Sequence, residues 1–217
     1  MGWYLRVSAF FGRDGIDMGK ITKVTAHAGH NKPGKIACGA FDYLDESKET
    51  RVICRKTIRL LKKNGIDAVN CTVNNGKSQS DVLVKIRNKI EKVLGAALNI
   101  SMHMNAFVHQ GQDGKTKGVE VCICPVAGDD GNYTKTKKTM KYKVAVLVCR
   151  EIAKLGFTNR GVKFRSDLYI LNRTSKPTIL VEICFVDDWD DAKLYKANKK
   201  AVAQAIVKAI LNYNASC

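Results

Sequence analysis

The sequence predicts an α/β protein built on a single twisted, mostly parallel sheet with helices on both faces. Three observations predict it. Short apolar runs bounded by glycine and turn residues alternate with stretches of helical period along the whole chain, which argues for one sheet covered on both sides. The helical stretches at 46–63 and 81–94 are amphipathic by period. No internal repeat, low-complexity segment or linker interrupts the pattern, so one domain is expected at 217 residues.

The elements follow in order. Residues 21–28 read as the first strand, and Gly29-His30 begins its exit loop. The polar stretch 31–45, with Gly34 and Gly39, reads as a loop near the strand end. Residues 46–63 are helical by period, with Val52, Ile53, Ile58, Leu60 and Leu61 toward one side and Gly65 placed to close the helix. Residues 68–73 read as a strand, Asn74-Asn75-Gly76 as a turn and 81–94 as a second amphipathic helix. The run 97–103 reads as a buried strand after Gly95 that ends in Ser101-Met102-His103-Met104-Asn105-Ala106. A polar loop over 107–117 leads to a strand over 118–125, stopped by Pro125, and 126–135 reads as a surface loop. A helix over 139–155 has Val144, Val148 and Ile152 at spacings of four. Residues 168–171 and 178–186 read as two more strands. Asp187-Asp188 is placed to cap a short helix, and 199–213 reads as the terminal helix.

Composition bounds the function. Hydrophobic residues make up 45% and charged residues 26%, enough apolar material for a core. The 37 Lys+Arg against 20 Asp+Glu give a net charge of +17, which favours a polyanionic partner: nucleic acid, anionic membrane or anionic cell-wall polymer. The eight cysteines form no Cys-x-x-Cys pair and mostly sit in apolar runs such as Val121-Cys122-Ile123-Cys124, so they read as reduced, buried small hydrophobes made in a reducing compartment. Arg6 interrupts the apolar amino end, which resembles neither a signal peptide nor a membrane span. Residues 1–17 are expected to be a peripheral extension and 18–217 the functional domain, with a monomer as the default.

Chemistry is expected at the strand ends, where open α/β sheets place it. The chain has only four histidines, and two of them, His30 and His103, close strand-like runs. Zinc takes imidazole nitrogen and carboxylate oxygen, and a catalytic site uses three protein ligands. The third ligand is expected from an acid at the start of the next helix. Glu46 has that position, with Asp42, Asp45 and Glu49 as rivals, and a carboxylate there also simply complements the helix dipole. Glu182 lies inside the apolar run Ile179-Leu180-Val181-Glu182-Ile183-Cys184-Phe185. An unpaired buried charge is expensive, so Glu182 requires a cation, a hydrogen-bond network or a bound water beside it, and burial would raise its pKa toward that of a working base.

These stretches resemble the zinc-dependent N-acetylmuramoyl-L-alanine amidases of the amidase-3 type, especially the catalytic domains of clostridial phage endolysins and autolysins. The resemblance rests on Ala28-Gly29-His30, Glu46, the Ser101–Ala106 block, Gly118-Val119-Glu120-Val121, Arg160-Gly161-Val162-Lys163, Leu168-Tyr169-Ile170-Leu171 and Pro177-Thr178-Ile179-Leu180-Val181-Glu182, and it runs from about residue 21 to 213. It implies zinc ligation by His30, Glu46 and His103, with Glu46 preferred over Glu49 by its distance from Gly65. It also implies an acid/base role for Glu182, substrate contact near Asn105, and cleavage of the muramoyl–alanine amide in peptidoglycan. Many members carry Asp where this chain has His27, which is expected to hydrogen-bond locally; His109 is expected in a solvated loop.

The same resemblance implies action on the wall after release from a bacterial cytoplasm. Members often carry a separate wall-binding domain, for which 217 residues leave no room; the +17 charge is expected to substitute by holding anionic wall polymer. Alternatives are a zinc peptidase cutting the stem peptide, whose His-x-x-Glu ligand pair is absent, and a non-catalytic basic wall-binding module. A nucleic-acid binder is disfavoured by the lack of an aromatic-rich strand motif, zinc finger or recognition helix.

Overall fold

The structure is a computed structural model, and it describes residues 19–107 and 115–217. The expected extension 1–17 and His109 lie outside the described residues. Six strands form one sheet: β1 (Lys23–Ala28), β2 (Asp67–Asn70), β3 (Leu98–Asn105), β4 (Val119–Ile123), β5 (Asn159–Phe164) and β6 (Thr178–Phe185). Their order across the sheet is β2-β1-β3-β6-β4-β5. The first four pair in parallel, β4 and β5 pair in parallel, and the two blocks meet antiparallel at β4/β6. From β1 the chain crosses to β2 on one side and then to β3 on the other. The carboxyl ends of β1 and β3 therefore flank the point where the winding reverses, the usual place for a crevice in such sheets.

The helices are α1 (Glu46–Lys63), α2 (Gln79–Glu91), α3 (Thr134–Lys138), α4 (Met140–Ala153), the single turn α5 (Tyr169–Asn172) and α6 (Trp189–Ala215). On one face α1 and α4 pack beside α6 over the larger core, which includes Val24, Ile53, Leu61, Ile100, Val121, Val148, Val181 and Ile206. On the other face α2 and α5 cover a smaller core made by Val82, Ile86, Ile90, Ile170, Cys122 and Leu180. Strand side chains alternate between faces. Val121 and Val181 therefore enter the larger core while Cys122 and Leu180 enter the smaller, and this is the two-sided burial the apolar runs imply. Among the described residues no helix is long and apolar enough to cross a membrane.

Helix α1 starts where the period places it. Asp45 caps it, accepting from the Lys48 amide at 2.9 Å. Gly65, at φ +77°, follows the C-cap Asn64 in the left-handed region that only glycine enters cheaply. Asp188 caps α6 by accepting from the Asp191 amide, and a kink at Asn198 divides α6 near residue 199, where a separate terminal helix was expected.

Two expectations are corrected and one strand is added. Residues 168–171 are not a strand: Leu168 is the extended cap of α5, and Ile170 and Leu171 are buried. A four-residue apolar run carries no period that separates strand from helix. Strand β5 was not foreseen, because its sequence NRGVKF is half-buried at the sheet edge and lacks an apolar run. The loop read over 126–135 ends early, at the start of α3.

Candidate metal centre

His30 leaves β1 in a strained conformation. Its φ is +61°, a region that non-glycine residues occupy at a cost. Just before it, the Gly29 amide still donates to the Met102 carbonyl at 2.8 Å, so β1 is tied to β3 up to the residue before the turn. The His103 ring lies against Gly29: a Cβ there would sit 2.2 Å from the imidazole. At Gly39 (φ +84°) a Cβ would meet the Glu46 carboxylate at 2.4 Å and the His30 ring at 2.8 Å. Both glycines leave room for side chains to converge.

They converge on Glu46. Its Oε1 lies 3.2 Å from His30 Nε2 and 3.0 Å from His103 Nδ1. The two rings stand edge to face with centroids 4.9 Å apart. The Glu46 carboxylate is itself aimed by backbone, its Oε2 accepting from the Ala40 amide at 2.9 Å and its Oε1 from the Met104 amide at 3.2 Å. One ligand atom from each of the three residues lies within 4.8 Å of the others, a grouping of metal-binding type.

The rival acids have other work. Asp45 caps α1. Glu49 accepts from Tyr195 Oη at 3.0 Å and pairs with Lys199 at 2.7 Å. Asp42 is exposed.

Two imidazoles and a carboxylate are a donor set that zinc takes. Bonds of about 2.0–2.1 Å hold neighbouring ligand atoms roughly 3.3 Å apart, close to the two observed separations. The electrostatics agree. Burial alone would raise the Glu46 carboxyl, but hydrogen bonds from His103 and His30 and their charges hold it well below the carboxylate range. Burial pulls His30 down, and its hydrogen bond to Glu46 and the Glu46 charge more than compensate, leaving it raised. At His103 burial wins over Glu46 and the imidazole is lowered, toward the neutral form that metals bind.

Glu182 pairs with His103 across the β3/β6 ladder. It lies two residues from Leu180 and so shares its face. Its Oε2 is buried without a hydrogen-bond partner. Burial, then the charges of Glu46 and Glu120, raise its carboxyl well above the ordinary value, with Arg165 opposing. Among the described residues no lysine or arginine forms an ion pair with it, although burial of a lone carboxylate would favour one. The β3/β6 register slips between His103 and Asn105, a bulge beside Glu182 of the sort that re-aims side chains near sites.

Sequence reasoning missed the neighbours of Glu182. Glu120 faces it across the antiparallel β4/β6 pair. Glu120 accepts from Arg160 Nε at 2.8 Å and from Asn105 Nδ2 at 3.1 Å, and the Arg160 guanidinium lies 4.9 Å over the Phe185 ring. Arg160 enters through a β4/β5 irregularity at Gly161, φ +73°. The signal was present in the Gly-Val-Glu-Val and Arg-Gly-Val-Lys blocks, but nothing in the sequence says that two separate strands bring these charges together. Asn105 thus has its amide engaged with Glu120 and with the Ala106 amide. His27 is buried, its Nδ1 3.2 Å from the Ala28 carbonyl oxygen. Burial, then the His103 charge, push its pKa down to about 3, so it is neutral.

A sheet with two imidazoles and one carboxylate gathered at its switch point, and a second, unpartnered carboxylate one strand away, defines a class: an α/β protein with the side-chain set of a mononuclear hydrolytic metal site. The family is identified by its match to residues 17–212. The chain belongs to the Amidase_3 family, N-acetylmuramoyl-L-alanine amidase. An uncharacterized Clostridium perfringens protein is 26% identical over 190 residues, 85% of this chain and 51% of its own length. The chain spans about half the length of the curated relatives it matches. Among solved structures, the catalytic domain of the CD27L endolysin targeting Clostridia difficile superposes with a TM-score of 0.69 at 24% identity, over 88% of this chain and 97% of that one. The Nostoc punctiforme N-acetylmuramoyl-L-alanine amidase AmiC2 gives 0.66 at 22%, over 90% and 98%. These likenesses establish the fold.

Proposed function

We propose that this chain hydrolyses the amide bond between N-acetylmuramic acid and L-alanine in peptidoglycan, using one zinc ion held by His30, Glu46 and His103. The observation that carries the reading is the convergence of these three side chains, from two strand ends and a helix start, beside a buried carboxylate with an unpartnered oxygen. Family membership supports the reaction.

When bound, zinc polarises a carbonyl and lowers the pKa of water. The chain's own residues do the rest. Glu46, gripped by two backbone amides, fixes the site's geometry. Glu182 takes the proton from the attacking water, and its raised proton affinity lets it hold that proton until it is delivered to the alanine nitrogen as the amide breaks. Asn105, beside Glu120 at the end of β3, is the proposed substrate contact. Residues 18–217 form the catalytic domain in this reading, with 1–17 peripheral. In this reading the enzyme acts on the cell wall and is held there by its positive charge.

The test is product analysis on purified peptidoglycan with metal content measured on the same sample. The expected result is stem peptides with a new L-alanine amino terminus, no new reducing ends and about one zinc per chain. Shortened stems would reassign the site to a peptidase, and absence of zinc would overturn the metal site. His30→Ala and His103→Ala are each expected to lose zinc and activity together.

A further inference from the structure

Arg51 lies on α1, just over a turn beyond Glu46, and is only 8% exposed. An arginine on an amphipathic helix is ordinarily solvated at its head, and burying a guanidinium is costly unless its donors are satisfied. Here they are, by neutral oxygens alone. Nε donates to Asn74 Oδ1 at 2.9 Å. Nη1 donates to the Ser47 carbonyl at 2.8 Å and Ser47 Oγ at 3.0 Å, with the Gly29 carbonyl at 3.4 Å. Nη2 donates to the His30 carbonyl at 3.0 Å and the Val73 carbonyl at 2.8 Å. No acidic side chain among the described residues forms an ion pair with it.

These acceptors belong to three separate pieces of chain. Gly29 and His30 are the exit of β1. Ser47 is in the first turn of α1, next to Glu46, and its hydroxyl also donates to the Asn31 carbonyl. Val73 and Asn74 follow β2. His30 is the residue in the left-handed region, a conformation that persists only when its surroundings hold it. One planar fork thus grips the strained residue by its carbonyl and binds it to the turn that carries Glu46. A lysine ammonium, with three donors at one point, cannot span the same set.

We propose that Arg51 is a positioning residue for the metal centre: its guanidinium pins the His30 carbonyl and the first turn of α1 to the exit of β2, and so sets the aim of His30 and Glu46. The inference rests on the metal-site reading above. It adds that ligand aim is set from behind, through backbone carbonyls, by a residue that touches neither substrate nor ion.

The experiment measures zinc affinity by chelator competition and the visible spectrum of the cobalt(II)-substituted protein, for wild type, Arg51→Met, Arg51→Lys, Asn74→Ala and Arg55→Met. Outer partners of ligands typically change metal affinity 10–100-fold, so Arg51→Met is expected to bind zinc about 10–100-fold more weakly, with an altered cobalt spectrum. Arg51→Lys is expected not to recover either. Arg55, exposed one turn further on, controls for loss of charge and should match wild type. Should Arg51→Met fail to fold, Arg51→Lys and Asn74→Ala carry the test. Asn74 is exposed, and its loss is expected to weaken zinc binding several-fold. Wild-type affinity and spectrum in Arg51→Met, or full rescue by lysine, would overturn the inference while leaving the metal site standing. If wild type binds no zinc, the site reading falls and the inference with it.

Discussion

At the scale of single residues, Glu182 and Glu46 show how one side-chain type is driven to opposite ends of its range. Glu46 is surrounded by donors, two imidazoles and two amides, and is held ionised. Glu182 has a buried oxygen with no donor and two acidic neighbours, so its folded state holds a proton more tightly than its unfolded state does. For a group raised in this way, the stabilisation is whole below the ordinary carboxylate pKa and drains as pH rises through the raised value. Melting temperatures of metal-free protein between pH 4 and 8 should therefore fall less with rising pH in Glu182→Gln than in wild type; parallel curves would mean that the carboxyl titrates normally. The same variant should keep its zinc and lose about 10²–10⁴-fold in amide hydrolysis, the usual worth of a positioned acid/base. A loss of only a few-fold would place the base elsewhere.

At the scale of elements, α1 is the piece that converts sequence into site. Its Asp45 cap fixes the first turn, and that turn aims Glu46. Asp45→Ala should cost about 1 kcal/mol, lowering the melting temperature by about 2–4 °C for a chain of this size. It should also weaken zinc binding, whereas Asp45→Asn should restore both; a stability loss with unchanged zinc affinity would separate the cap from the site. This helix was legible because its signals are local: a capping acid, a 3.6-residue period and a closing glycine. His30 and His103 were legible because each ends an apolar run, and Glu182 because it interrupts one. What lay beyond reach depends on contacts distant in sequence. The antiparallel join of β4 to β6, which sets Glu120 opposite Glu182, leaves no mark in either strand. Strand β5 is an edge whose half-buried residues carry no apolar run, and Arg51 looks like any solvated helix arginine until Val73 and Asn74 arrive from another loop.

At the scale of the molecule, the sheet gathers the candidate site at the carboxyl ends of its central strands while charge spreads over the whole chain. The excess of 37 Lys+Arg over 20 Asp+Glu is far larger than Arg51 and Arg160 can use, since each needs only local oxygens. In the proposed reading the rest of the positive charge meets an extended polyanion as a field rather than by single contacts. Fields of this sort are screened over about 10 Å at 0.1 M salt and about 3 Å at 1 M. The hydrogen bonds that aim Glu46 are buried and are screened much less. Wall attachment and amide chemistry should therefore separate in a salt titration. Lysis of intact walls, followed by turbidity, should fall steeply as sodium chloride rises from about 0.05 to 1 M, while cleavage of a small soluble muropeptide stays nearly constant. Equal losses in both assays would place the salt-sensitive step at the site itself and leave the positive surface without a part in wall binding.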